Sequence, residues 1–225
     1  MKRQEELAVG RRLLDHIEAR TTDLADAMFR NKVVNYASRE RAVLEREKLF
    51  RDQPIFMGLS MRLPKPGDYL TEDVAGLPVL MTRTADGSVM AFANICRHRA
   101  APIAQGCGHA KAFTCPYHGW TYDLTGKLLG TTDKVGFAGI DLAAHGLVRL
   151  PSAEKHGMLF VRPKPAQGGE SLLLDVDAGL GTFAADFEAL EFATYPLFSS
   201  DWVKPRINWK FAVDTFLEGY HIPHL

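Results

Sequence analysis

The chain has 225 residues, 46% hydrophobic and 24% charged, which suits one large or two small folded domains with real cores. Basic and acidic residues both number 27, so the formal net charge is zero, which argues against a nucleic-acid partner or an anionic membrane held by charge. No apolar run approaches the roughly 18 residues that span a bilayer. The N-terminus "MKRQEELAVG" lacks the apolar core of a signal peptide, and three cysteines make a poor disulfide framework, so a cytoplasmic, reducing setting is expected.

Residues 5–30 read as a helix, with Leu7, Leu14, Ile17, Leu24 and Met28 close to one stripe and Thr22-Asp23 as a break that recaps it. A second helix is predicted from Ser38, an N-cap, through "RERAVLEREKLF". Beyond Pro54 the pattern changes to short runs of β-formers: "PIFMGLS", "GDYLTED", "LPVLMTRT" and "SVMAFANIC". Asp86-Gly87 marks a hairpin between the last two. Further strands fit "KAFTC", "HGLVRL" and "GMLFVRP", giving a small antiparallel sandwich or barrel. "RPKPAQGGE" reads as a linker. A helix near 182–190, strands near 191–207 and a helix opening near Asn208 complete the chain.

The densest chemistry lies in "CRHRAAPIAQGCGHAKAFTCPYHGW". Cys96-x-His98 is followed, after sixteen intervening residues, by Cys115-x-x-His118. Two short segments each offer one thiol and one imidazole, a ligand set that suits tetrahedral zinc or a two-iron cluster. If both cysteines take one iron and both histidines the other, the mixed pairing follows, because each segment reaches across both metals.

CxH…CxxH with a following Trp resembles the Rieske [2Fe–2S] signature, and Cys96, His98, Cys115 and His118 match it residue for residue. Gly106, Gly108 and Gly119 are expected to keep the loops open for backbone donors to the cluster sulfurs. Rieske proteins of respiratory complexes link their loops by a disulfide; Tyr117 stands where its second cysteine would be, which leaves Cys107 as a small buried filler. Trp120 stands where those proteins carry a serine that donates to a sulfur, which implies a lower potential than theirs. His16, His109, His145 and His156 match nothing and read as surface or structural residues.

Asn208-Trp209-Lys210 leads into "FAVDTFLEGYHIPHL". On a helix, Asp214, Glu218 and His221 fall on neighbouring turns, with Glu218 and His221 sharing a face. Such a set suits ferrous iron held by two histidines and a carboxylate. Beside the first signature, the segment resembles the α-subunits of Rieske non-haem iron oxygenases, the ring-hydroxylating dioxygenase family and its demethylase relatives. The resemblance implies His221 as a mononuclear iron ligand and Glu218 as the acid that bridges electron transfer between subunits, with Asp214 a lesser catalytic candidate. The family's H-x₄-H spacing puts the second histidine at the position after Leu225, so His224, three residues on, is an atypical second ligand. Pro223 is expected to end the helix near His221.

The resemblance implies an α+β chain: a helical arm (1–52), an antiparallel β-sandwich Rieske domain (53–165) and the opening of a helix-grip catalytic domain (166–225). It implies a [2Fe–2S] cluster, mononuclear Fe(II) in the full-length protein, and NAD(P)H acting through a partner reductase, with or without a ferredoxin. It also implies a homotrimer, with or without a β-subunit, that hydroxylates or demethylates a small organic substrate with O₂, and a chain catalytically incomplete by itself. A Rieske ferredoxin-like electron carrier and a structural zinc module are the alternatives.

Overall fold

The computed structural model describes residues 3–201, 203 and 206–219. Helices and antiparallel sheets are both present, as an α+β chain requires. The chain divides into two units, one of residues 1–41 with 203–225 and one of residues 42–202.

The first helix is shorter than the apolar stripe predicts. It is α1, Arg3–Ala19, and it ends where Arg20 turns left-handed (φ 52°). Thr21 N–H donates to the His16 carbonyl at 3.0 Å. The Asp23 carboxylate folds back onto the helix, accepting from Arg12 Nε at 3.0 Å and pairing with His16 Nε2 at 2.9 Å. Thr22-Asp23 therefore breaks the helix without recapping it, and Leu24 and Met28 fall outside. A single turn follows, α2 at Val34–Ala37, then α3 at Arg39–Glu45. Ser38 Oγ accepts from Arg41 N–H at 3.1 Å, which is the expected N-cap. Past α3 the chain coils in a wider turn to Arg51.

Three sheets make up most of the second unit. Strands β1 (Ile55–Leu59), β2 (Asp68–Val74), β3 (Leu77–Arg83) and β4 (Val89–Ala93) come first. The loop between β3 and β4 has Gly87 at φ 84° and Asp86 Oδ1 accepting from Ser88 N–H at 3.0 Å, so Asp-Gly makes the expected hairpin. Next are β5 (Cys107–His109), β6 (Ala112–Thr114), β7 (Thr121–Asp123) and β8 (Leu128–Gly130), then β9 (Arg149–Leu150), β10 (Ser152–Lys155) and β11 (Met158–Val161). The orders are β5-β2-β3-β4-β9, β1-β11-β10 and β6-β7-β8, with every named pair antiparallel. The arrangement is a layered sandwich and not a closed barrel.

Strand β3 is covered on both faces, and its alternation explains the layering. Val79 and Met81, with Leu70 of β2, share one core with Met57, Leu159 and Val161 of the β1-β11-β10 side. Leu80, one residue out of phase, joins Phe92 in a second core with Phe113, Trp120, Tyr122 and Leu128 of the smallest sheet. The second core also contains Cys96 and Cys115. Arg83 ties the layers: its guanidinium donates to both Glu154 oxygens (2.9 and 2.8 Å) and to the Gly87 carbonyl (2.8 Å).

After the linker come α4 (Val176–Leu180), capped by Asp175 Oδ1 accepting from Ala178 N–H at 3.0 Å, and α5 (Ala184–Ala189), within the helix expected at 182–190. The strands expected at 191–207 are absent among the described residues. Glu191 is left-handed (φ 50°), a 3-10 turn occupies Phe192–Thr194, and Phe198 is fully exposed. The described residues of this run join none of the three sheets, and an unpaired strand does not persist. The last helix, α6, spans Trp209–Leu217. No helix among the described residues is long and apolar enough to cross a membrane.

Candidate metal centre

Two loops converge at one end of the smallest sheet, and they share a backbone pattern. In the first, Cys96 N–H donates to the Ala101 carbonyl at 2.8 Å and Ala100 N–H to the Cys96 carbonyl at 3.0 Å, with Ala100 left-handed (φ 59°). In the second, Cys115 N–H donates to the Trp120 carbonyl at 2.8 Å and Gly119 N–H to the Cys115 carbonyl at 3.0 Å, with Gly119 left-handed (φ 71°). Each loop thus makes the same tight turn from its cysteine. Gly119 is required twice over, because a Cβ there would lie 2.3 Å from Thr132 Cγ2.

Both thiols are buried, each 3% exposed. Cys96 Sγ lies 3.4 Å from the hydroxyl of Tyr122, which also accepts from Arg97 N–H at 3.1 Å. Burial, then the neighbouring Cys96, pushes the Tyr122 phenol well above its usual range, so the hydroxyl keeps its proton. The two imidazoles meet edge to face, ring centroids 4.6 Å apart. His98 also stacks flat on Trp120 (5.1 Å, 9°) and meets the edge of Phe137. Burial, with His118 and Arg99 adding to it, lowers the His98 pKa and favours the neutral ring that a metal ligand needs. Among the described residues His98 Nδ1 is buried and has no hydrogen-bond partner. No three His, Cys, Asp or Glu side chains among them gather round one point, as a single tetrahedral ion would require. Two buried thiols, two facing imidazoles and an unpartnered ring nitrogen fit a [2Fe–2S] centre, in which no iron takes more than two protein ligands.

The comparisons agree. Residues 53–140 match the family model described as Rieske [2Fe-2S] domain. Those residues form a Rieske domain. The chain is 31% identical to the glycine betaine monooxygenase oxygenase subunit of Chromohalobacter salexigens, covering 79% of this chain and 39% of that protein. It is 34% identical to the biphenyl dioxygenase subunit alpha of Metapseudomonas furukawaii, covering 83% and 42%. Among solved structures, the apo form of the quaternary ammonium Rieske monooxygenase CntA superposes with TM-score 0.77 at 27% identity, over 87% of this chain and 56% of that one. Naphthalene 1,2-dioxygenase with bound indole gives 0.68 at 26%, over 85% and 43%. The relatives are Rieske oxygenases, and the chain spans about two fifths of the length of these curated relatives.

Several residues that hold the Rieske loops carry no motif. Asn94 is buried where the first loop leaves β4; its Oδ1 accepts from Ile103 and Ala104 N–H (3.0 and 3.1 Å) and its Nδ2 donates to the Ala104 carbonyl (2.8 Å). Thr132 Oγ1 donates to the His118 carbonyl at 2.8 Å. Only Tyr122 left a trace in the sequence, as the inward residue alternating with Thr121 and Asp123 on β7. Two expectations change. Cys107 is exposed, not buried, because β5 is an edge strand. Gly106 and Gly108 belong to that strand and its approach, where a Gly108 Cβ would meet the Tyr69 ring at 3.3 Å, and do not open the cysteine loops.

The other histidines have local partners: His109 with Asp68 (2.9 Å), His156 with Asp177 (2.7 Å) and His145 with the Asp141 carbonyl (2.8 Å). His221 and His224 lie outside the described residues. Glu218 does not stand on the helix expected for it: α6 ends at Leu217 and Glu218 is extended (φ −119°, ψ 138°). Gly219 disfavours another turn, and Thr215 Oγ1 bonds back to the Phe211 carbonyl at 2.8 Å, which weakens the helix before Pro223 can act. Asp214 Oδ2 accepts from the Tyr36 hydroxyl at 2.7 Å.

Proposed function

We propose that this chain is the cluster-bearing part of a Rieske oxygenase α-subunit, with residues 53–165 as the cluster domain and 166–225 as the opening of the iron domain. Cys96 and Cys115 would hold one iron of a [2Fe–2S] cluster, and His98 and His118 the other. The cluster supplies one-electron storage. In the full-length, cytoplasmic trimer, electrons come from NAD(P)H through a reductase, with or without a ferredoxin. A mononuclear Fe(II), when bound, would supply the O₂ chemistry for hydroxylating or demethylating a small organic substrate. Glu218 bridges to the neighbouring subunit, His221 is an iron ligand, and His224 is an atypical one. The relatives, named for glycine betaine and biphenyl, support the oxygenase class.

The residues supply binding and tuning. The paired turns hold each thiol beside its own backbone. Tyr122 offers its proton to Cys96, and Trp120 fixes the plane of His98. The observation that carries the reading is the pairing of two buried thiols with two facing imidazoles.

Anaerobically purified protein should be brown, contain about two irons and two sulfides per chain, and give an EPR signal on one-electron reduction. Cys115→Ser should abolish all three. Colourless protein with stoichiometric zinc would refute the cluster. A loaded cluster without substrate-dependent O₂ uptake in the full-length protein, reductase present, would leave the electron carrier.

A further inference from the structure

Helix α6 has nine residues, too few to hold helical form alone, since isolated helices below about 12–15 residues are marginal in water. Much of its apolar surface is uncovered: Phe216 and Leu217 are exposed and Phe211 and Val213 half-exposed. It also carries a carboxylate, Asp214, in its last turn, where the helix dipole disfavours negative charge. Something outside the helix must hold it and make that charge worthwhile.

Tyr36, 178 residues away in α2, meets both needs. Its ring stacks on Phe211 with centroids 4.3 Å apart and planes 16° from parallel. Its hydroxyl donates to Asp214 Oδ2 at 2.7 Å and accepts from Asn31 Nδ2 at 2.7 Å. Its carbonyl accepts from Asn208 Nδ2 at 2.7 Å, while Asn208 Oδ1 caps α6 by accepting from Lys210 N–H at 3.0 Å. One tyrosine thus grips the helix at its cap, its first turn and its last turn, and the asparagine of "NWK" serves cap and clamp together.

We infer that Tyr36 and Asp214 are a positioning pair, through which the N-terminal arm fixes α6 and so sets where the chain leaves it at Glu218. Asp214, read from the sequence as a catalytic candidate, is a positioning residue that acts through Tyr36. The consequence for iron rests on the oxygenase reading; the clamp does not.

The test uses the full-length protein. Tyr36→Phe keeps the ring stack and removes the hydroxyl, Asp214→Ala removes the acceptor, and Asp214→Asn keeps one. Amide hydrogen exchange across Trp209–Leu217 should speed up about 10-fold in Tyr36→Phe and in Asp214→Ala, as expected for one lost hydrogen bond to a charged group. The double variant should be no faster than either single, and Asp214→Asn should stay within about 3-fold of wild type. Fe(II) affinity at the mononuclear site should fall by a similar factor in the same variants, with the visible spectrum of the cluster unchanged. Unaltered exchange, or additive effects in the double variant, overturns the pair whatever the iron does. Altered exchange with unaltered Fe(II) affinity overturns its role in the iron site. Wild-type protein that binds no Fe(II) beyond the cluster overturns the oxygenase reading, and exchange still decides the clamp.

Discussion

Ala100 and Gly119 hold equivalent places in the two loops, yet only one is a glycine. Both backbones are left-handed, at φ 59° and 71°. An alanine there is strained, because its Cβ crowds the following carbonyl at a cost of roughly 1 kcal/mol. Gly119 has no alternative, with Thr132 against its α-carbon, whereas the first loop tolerates the strain. Ala100→Gly should therefore stabilise the cluster-loaded protein by roughly 0.5–1 kcal/mol, somewhat offset by the greater freedom of the unfolded chain. Thermal unfolding followed by far-UV circular dichroism measures it, and the visible spectrum should stay the same because no ligand moves. A fall in melting temperature would mean that the Ala100 methyl contributes packing worth more than the strain.

The loops are held as elements by side chains that no motif announces, and Asn94 is the clearest of them. It makes three hydrogen bonds to the backbone of Ile103 and Ala104, closing the base of the first loop. Asn94→Ala strands those buried amide groups, at a cost of roughly 2–4 kcal/mol, and should lower the iron content of purified protein while Cys115 and His118 remain intact. Iron and sulfide assays on Asn94→Ala beside Asn94→Asp, which keeps an acceptor, check this; equal loading of Ala and wild type would refute it. Asn94 is invisible in the sequence because its partners are backbone atoms of a loop whose path only the fold decides. The cysteines and histidines were legible because their spacing is itself the chemistry. The β3-β4 hairpin was legible because Asp-Gly selects its turn locally. The expected strands at 191–207 failed for the opposite reason: the described β-formers there pair with no strand, and propensity does not supply a partner. Helix α6 ends at Leu217, four residues before the end that Pro223 predicts, because helix length is set by what grips the helix and a proline marks only its outer limit.

At the scale of the 42–202 unit, the two larger sheets are joined by apolar packing and by charged ties, among them Arg83 to Glu154. Burial of the Glu154 carboxyl works against ionisation, but the guanidinium bonds outweigh it and hold its pKa below the usual 4.5. A carboxyl whose folded pKa is depressed adds stability that is complete above its unfolded value and lost as pH falls through the folded one. The tie should therefore contribute fully at neutral pH and fade only below about 4.5. Glu154→Gln should cost on the order of 1–2 kcal/mol at pH 7, more than an exposed pair because the contact is bidentate and half-sheltered. Urea unfolding of wild type and Glu154→Gln should give midpoints that differ at pH 7 and converge as the pH is lowered past the glutamate range. A pH-independent difference would mean that the glutamine's lost packing, not the ion pair, separates them. Convergence would establish that Arg83, already bonded to Gly87, locks the turn of the hairpin and the neighbouring sheet through one ionised carboxylate.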